Sequence, residues 1–236
     1  MCYHTCGLIM KKLSFLLLFI LFLNVIASHA VYNKKSVKDY KLQMEQVQKT
    51  KKSYTMEVRQ SLSSPGLASY DLYHKAYLKN GKWKAETSND GGKTYPSSIL
   101  FDGKNCYMYW TQMAYGIKIP DISLYGSNKA SNPVDSLFYW DGNGSLFNIN
   151  DAVIVNNNAK MNGYNCRLIK MGDFAEACIS DELGIAVYYK LKSTEPLTGA
   201  VQNNILNVVK VNTSDIPDSV FKLPQGINLM DYNEQF

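Results

Sequence analysis

Tyr70-Asp71-Leu72-Tyr73-His74-Lys75-Ala76-Tyr77-Leu78-Lys79-Asn80-Gly81-Lys82-Trp83-Lys84-Ala85-Glu86-Thr87 is the stretch that decides the fold. Its two arms alternate sides, as the side chains of a strand do. Asn-Gly between them supplies the positive φ that both central residues of a type I′ turn need, and that turn matches the twist of paired strands. A hairpin is expected, with Tyr70 to Leu78 returning as Lys82 to Thr87. Upstream, Tyr54 to Leu62 alternates in the same way and breaks at Ser63-Ser64-Pro65-Gly66. Downstream, Asp90-Gly91-Gly92 and Pro96 mark a loop. Ser98 to Phe101, the turn Asp102-Gly103 and Asn105 to Thr111 make another hairpin. The first half is therefore an antiparallel meander rather than a parallel α/β sheet.

Before the meander, Ser36 to Thr50 reads as an amphipathic helix. Val37, Tyr40, Met44 and Val47 recur at helical spacing and line one narrow stripe. The lysines around it, from Lys34 to Lys52, read as a solvated face. Gln112 to Ser145 is less regular. Within it Asn132-Pro133-Val134-Asp135 starts a short helix, Leu137-Phe138-Tyr139-Trp140 fills it, and Asp141-Gly142-Asn143-Gly144 ends it. Strands resume at Ala152–Val155, Tyr164–Lys170, Phe174–Ile179, Ile185–Lys192 and Ile205–Val211. The fold class is mainly β: one curled antiparallel sheet, a half-barrel of about ten strands, since a sheet that long must curl or close. The N-terminal helix and the short central helix cover its concave face. Two helices with narrow apolar stripes leave space in that concavity, which points to a hydrophobic ligand.

Met10 to Ala30, MKKLSFLLLFILFLNVIASHA, has the order of a secretory signal peptide: two lysines, a short apolar run, then small residues. The expectation is a true start at Met10, cleavage after Ala30 within a 1–30 leader, and export of a single domain, 31–236, to the periplasm. A secreted or envelope-associated protein is the alternative. The leader holds two of the 25 basic residues and none of the 20 acidic ones, so the exported part carries +3. That mild balance gives no argument for nucleic acid, which takes a clustered basic face.

Export also subtracts chemistry. It leaves His74 as the one histidine, so a histidine-rich zinc site cannot be built, and no metal or cofactor is expected. A triad would have to use His74, whose place in a strand reads as a surface or cross-strand residue. Asp71, Glu86, Asp135 and Glu176 are available carboxylates, but no spacing marks a pair, and there is no phosphate-cradling loop or nucleophile elbow. The chain is read as a non-enzyme. Cys166 and Cys178 flank a hairpin at equal distances from Gly172, which sets them opposite each other; a disulfide suits an oxidising compartment, with two buried thiols as the alternative. Cys106 is left as a small buried side chain.

Ser97-Ser98-Ile99-Leu100-Phe101-Asp102-Gly103-Lys104-Asn105-Cys106-Tyr107-Met108-Tyr109-Trp110 resembles the "S-I-L-x-x-D-G-K-x-x-W-x-Y" segment of periplasmic lipoprotein carriers. Ser219-Val220-Phe221-Lys222-Leu223-Pro224-Gln225-Gly226-Ile227-Asn228-Leu229 resembles their "F-x-x-P-x-G-V" closing motif. The chain is similar in these motifs and in element order to the LolA/LolB-like superfamily, which includes outer-membrane lipoprotein-sorting proteins. The resemblance implies a helix-covered half-barrel whose apolar cavity holds acyl lipid or lipoprotein chains. It also implies inner- or outer-membrane transport components as partners; a monomer is expected. The family's arginine that bonds to the covering helices has no counterpart at Leu78-Lys79-Asn80-Gly81-Lys82. Arg59 and Arg167 lie elsewhere, so the family's gating step is not carried over.

The cavity candidates are Met56, Val58, Leu100, Tyr107, Tyr109, Phe138 and Trp140. Each also reads as ordinary core, and a one-residue slip exchanges the faces. The competing reading is a cell-envelope module that holds glycan or protein through exposed aromatics.

Overall fold

A computed structural model describes residues 37–119, 151–194 and 199–231. Helix α1 covers 37–50. The strands are β1 (Tyr54–Ser63), β2 (Tyr70–Lys79), β3 (Lys82–Ser88), β4 (Ser97–Phe101), β5 (Cys106–Trp110), β6 (Tyr115–Ile119), β7 (Ala152–Met161), β8 (Tyr164–Met171), β9 (Ala175–Ser180), β10 (Ala186–Thr194), β11 (Val201–Asn212) and β12 (Asn228–Asp231). The predicted β2–β3 hairpin forms, with Asn80 at φ 50° and Gly81 at φ 77°. That is the left-handed pair a type I′ turn requires.

All twelve strands join one open, curled sheet in the order β12-β6-β5-β4-β3-β2-β1-β11-β10-β9-β8-β7. Every pairing is antiparallel except β12 on β6. Strands β6 and β12 exceed the expected ten. The β5–β6 turn carries no glycine or asparagine signal: Ala114 takes φ 49° there, a conformation a sequence reading does not assign to alanine. Strand β12 is only four residues long and pairs with a strand remote in sequence. The expected central helix over Pro133 to Trp140 lies outside the described residues.

The helix stripe is as expected. Val37, Tyr40 and Met44 are buried in one core with Tyr54, Met56 and Val58 of β1, Ala76 of β2 and residues of β7 to β11. Three hydrogen bonds fix α1 and the start of β1 to the far half of the sheet. The Tyr40 hydroxyl donates to the Ile179 carbonyl (3.0 Å) and the Gln48 amide to the Gly184 carbonyl (2.7 Å). From β1, the Tyr54 hydroxyl donates to the Leu183 carbonyl (2.7 Å). The β7–β8 hairpin folds back over β10 and β11: Asn162 donates to the Val187 carbonyl (3.0 Å), and the Val211 N–H donates to the Tyr164 hydroxyl oxygen (3.0 Å).

A second, smaller core lies on the other side of the sheet. Leu100 and Tyr109 pack there against Ile216 and Phe221, which a 3₁₀ turn at Asp218–Phe221 delivers. Lys79 holds this segment down. It donates to the Ile216 carbonyl (2.6 Å) and pairs with Asp215 and Asp218, both at 3.1 Å.

Candidate functional site

Strand register assigns each side chain of the first half to a face, because directly opposed residues share one. Met56 opposes Ala76, Ala76 opposes Ala85, Ala85 opposes Ile99, Ile99 opposes Met108 and Met108 opposes Ile117. This row lies on the inner face, the one α1 covers. Leu100 belongs to the neighbouring row with Lys84 and Tyr107, on the outer face.

The candidate residues therefore divide. Met56 and Val58 are inner and fully buried in the α1 core. Leu100, Tyr107 and Tyr109 are outer, belonging to or packed against the Phe221 core. Phe138 and Trp140 lie outside the described residues. One cavity cannot hold both described groups.

The inner face of β3 to β6 carries a different apolar set, absent from the α1 core. Trp83 faces Phe101 with ring centroids 6.2 Å apart, and Trp110 stacks on Tyr115 at 6.0 Å. Ile99, Met108 and Ile117 run between the two pairs, all half-buried. No sequence signal separated Ile99 from Leu100, since both are aliphatic.

The same face opens into a cavity of about 290 Å³ at the end of β1 away from Tyr54. Leu62, Tyr70, Leu67, Leu191, Gln202 and Asn204 are among its walls. Across its floor Tyr70 opposes Leu62, Leu62 opposes Asn204 and Asn204 opposes Leu191, a row over β2, β1, β11 and β10. None of the cavity candidates named from the sequence lines it.

Beside that floor runs a line of hydrogen-bonded side chains. His74 Nδ1 lies 3.1 Å from Thr87 Oγ1, and His74 Nε2 lies 2.7 Å from Gln60 Oε1. Gln60 Nε2 donates to Asn204 Oδ1 at 3.0 Å. His74 was expected as a surface or cross-strand residue; it bridges strands but is buried at 1% exposure. Burial pushes its pKa down to about 4, so the ring is neutral at physiological pH.

The described carboxylates named from the sequence each have a partner. Asp71 accepts from Arg59 and Ser61, both at 2.6 Å, and the guanidinium holds its carboxyl below the usual range. Glu86 pairs with Lys84 at 2.7 Å, and Glu176 accepts from the Tyr188 hydroxyl at 2.8 Å. Asp135 lies outside the described residues. Arg167 stacks on the Tyr40 ring of α1 at 4.4 Å, so an arginine does touch the helix, though from β8 rather than from the family's position. Among the described residues no cluster of His, Cys, Asp and Glu could hold a metal ion.

Cys166 and Cys178 form a disulfide with Cα atoms 5.5 Å apart. They are not directly opposed: Cys166 faces Ser180 and Cys178 faces Leu168. The loop is three residues, Gly172-Asp173-Phe174, so the hairpin is centred one residue beyond Gly172 and the bridge runs diagonally. Cys106 is a buried free thiol, its pKa pushed up to about 11 by burial.

An open curled antiparallel sheet with an N-terminal helix against its inner face is the architecture the sequence resemblance implies. No family model matches the chain, and no curated protein matches it by sequence. Among solved structures it is similar to an uncharacterized conserved protein from Thermus thermophilus. That likeness has a TM-score of 0.51 at 10% identity and covers 83% of this chain and 99% of that one. It is also similar to a LolA superfamily protein from Nitrosomonas europaea, with a TM-score of 0.40 at 11% identity over 79% of this chain and 97% of that one. The lipoprotein LppX of Mycobacterium tuberculosis gives 0.38 at 13% identity, over 77% and 98%.

Proposed function

We propose that this protein binds and carries acyl lipid, or the acyl chains of lipoproteins, along the inner face of its LolA-like half-barrel. It does so in the periplasm, in outer-membrane lipoprotein sorting or envelope lipid transport, and without catalysis. One observation carries the reading. The α1 core occupies the β7–β11 side of the inner face, while β3 to β6 present a further half-buried apolar surface on that same face. An acyl chain laid along Trp83, Phe101, Ile99, Met108 and Ile117 loses apolar area to the sheet at about 25 cal/mol per Å². A cavity on the same face lies over β1, β2, β10 and β11, beside Leu62. The Cys166–Cys178 disulfide and the leader-like Met10 to Ala30 both suit an oxidising compartment outside the cytoplasm. The described carboxylates Asp71, Glu86 and Glu176 are engaged by neighbours, which favours a binder over a hydrolase.

The test is native mass spectrometry of the full chain, exported with its own leader and purified gently, followed by solvent extraction. Co-purifying acyl lipid is expected. Met108→Glu and Ile117→Glu, on the inner face, should abolish it while the outer-face Tyr107→Glu retains it. An apo mass that takes up no offered lipid or lipopeptide overturns the carrier and favours an envelope binding module.

A further inference from the structure

The line Thr87–His74–Gln60–Asn204 has a direction. A carbonyl oxygen only accepts, so the contact of His74 Nε2 with Gln60 Oε1 places the proton on Nε2. His74 Nδ1 is then the lone-pair nitrogen and accepts from the Thr87 hydroxyl. The Gln60 amide, its oxygen taken by His74, turns its nitrogen to Asn204 Oδ1. Every donor points the same way, from β3 towards β11. Asn204 receives the last bond on its oxygen, and its amide nitrogen is the donor end of the line.

Asn204 is half-buried on the cavity floor between Leu62 and Leu191. The described hydrogen bonds engage only its Oδ1. On the floor row Leu62 and Leu191 flank this amide, while Tyr70, Ser193 and Gln202 place further polar groups around the cavity. A hydrocarbon seated over the amide strips water from its N–H donor and offers nothing back, whereas a ligand oxygen replaces the water. A site built this way discriminates by the penalty on the ligand that lacks the partner.

Resting on the acyl-binding reading above, we infer that Gln60 and Asn204 set the specificity of this cavity. They select acyl chains bearing a hydrogen-bond acceptor at the head, an ester or amide carbonyl, over plain hydrocarbon. Gln60 is the positioning residue, which fixes the orientation of the Asn204 amide. Asn204 touches the ligand.

The experiment is displacement of an uncharged fluorescent probe, N-phenylnaphthylamine, from the full chain by methyl laurate and by tridecane. Wild type should prefer the ester by roughly tenfold or more. Asn204→Leu should erase that preference while keeping or raising affinity for tridecane. Asn204→Asp serves as the second variant: it still accepts from Gln60 but presents no donor, and it should weaken the ester selectively. Gln60→Met, which frees the amide to turn, should reduce the preference without removing alkane binding. Equal affinity of wild type for the two ligands, or a preference that survives both Asn204 variants, overturns this inference and leaves the carrier reading standing. Binding of neither ligand overturns both.

Discussion

Gly184 lies against the backbone carbonyl of Met44, so close that a Cβ at position 184 would stand 2.6 Å from that oxygen. The contact joins the β9–β10 turn to α1, and Gly184 also sits at φ 72°. Gly184→Ala therefore meets a clash and a left-handed backbone together. Thermal unfolding should show a loss of about 2–4 kcal/mol, roughly 4–16 °C in Tm. Gly163→Ala, at φ 86° with open space around it, carries only the conformational penalty of about 1 kcal/mol. Equal effects of the two substitutions would show that α1 does not rest on this turn.

His74 makes stability depend on pH in a defined window. Its folded pKa of about 4 lies below the ordinary 6.5, so between those values the unfolded chain takes up a proton that the folded chain refuses. Stability is complete above pH 6.5 and falls as pH drops towards 4, by about 3 kcal/mol at the lower end. The depressed carboxyls of Asp71, Asp90 and Asp218 act lower, as pH falls below their ordinary value of 3.8. Urea midpoints between about pH 4.5 and 7 should slope for wild type and flatten for His74→Gln. A flat wild-type profile would contradict the burial of His74.

Ile99 and Leu100 are adjacent but belong to different surfaces. Leu100 is fully buried against Phe221 and Ile216, so Leu100→Ala should cost about 3 kcal/mol. Ile99 is half-buried on the inner face, and Ile99→Ala should cost about 1 kcal/mol while weakening acyl-probe binding. Denaturation and probe titration on the two variants separate the surfaces. Probe binding lost with Leu100→Ala and unchanged with Ile99→Ala would reverse the assignment of faces.

The disulfide closes a short loop, with a sequence separation of 12. Constraining the unfolded chain over that length is worth about 3 kcal/mol. Both sulfurs belong to buried residues, so reductant should act slowly on the folded protein. The Cys166→Ala, Cys178→Ala double variant should unfold roughly 6–12 °C lower. An unchanged Tm would mean the bridge adds nothing beyond the hairpin it crosses.

What the sequence determined by itself is local. The Tyr54–Leu62 alternation, the Asn80-Gly81 turn and the α1 stripe of Val37, Tyr40 and Met44 each depend on residues a few positions apart, and each formed as read. The Cys166–Cys178 pair was legible too, though its diagonal offset depends on one extra loop residue. The division between inner and outer faces was not legible. Parity has to pass from Met56 through β2, β3 and β4 before it reaches Ile99 or Leu100. Apolar residues stand on both sides of β4, because the α1-covered face and the Phe221 core each need them. The polar line could not be read at all: His74 meets Gln60 across 14 residues and Gln60 meets Asn204 across 144. Only the pairing of β1 with β11 brings Gln60 against Asn204 at the cavity floor, since a contact between remote strands has no local periodicity to announce it.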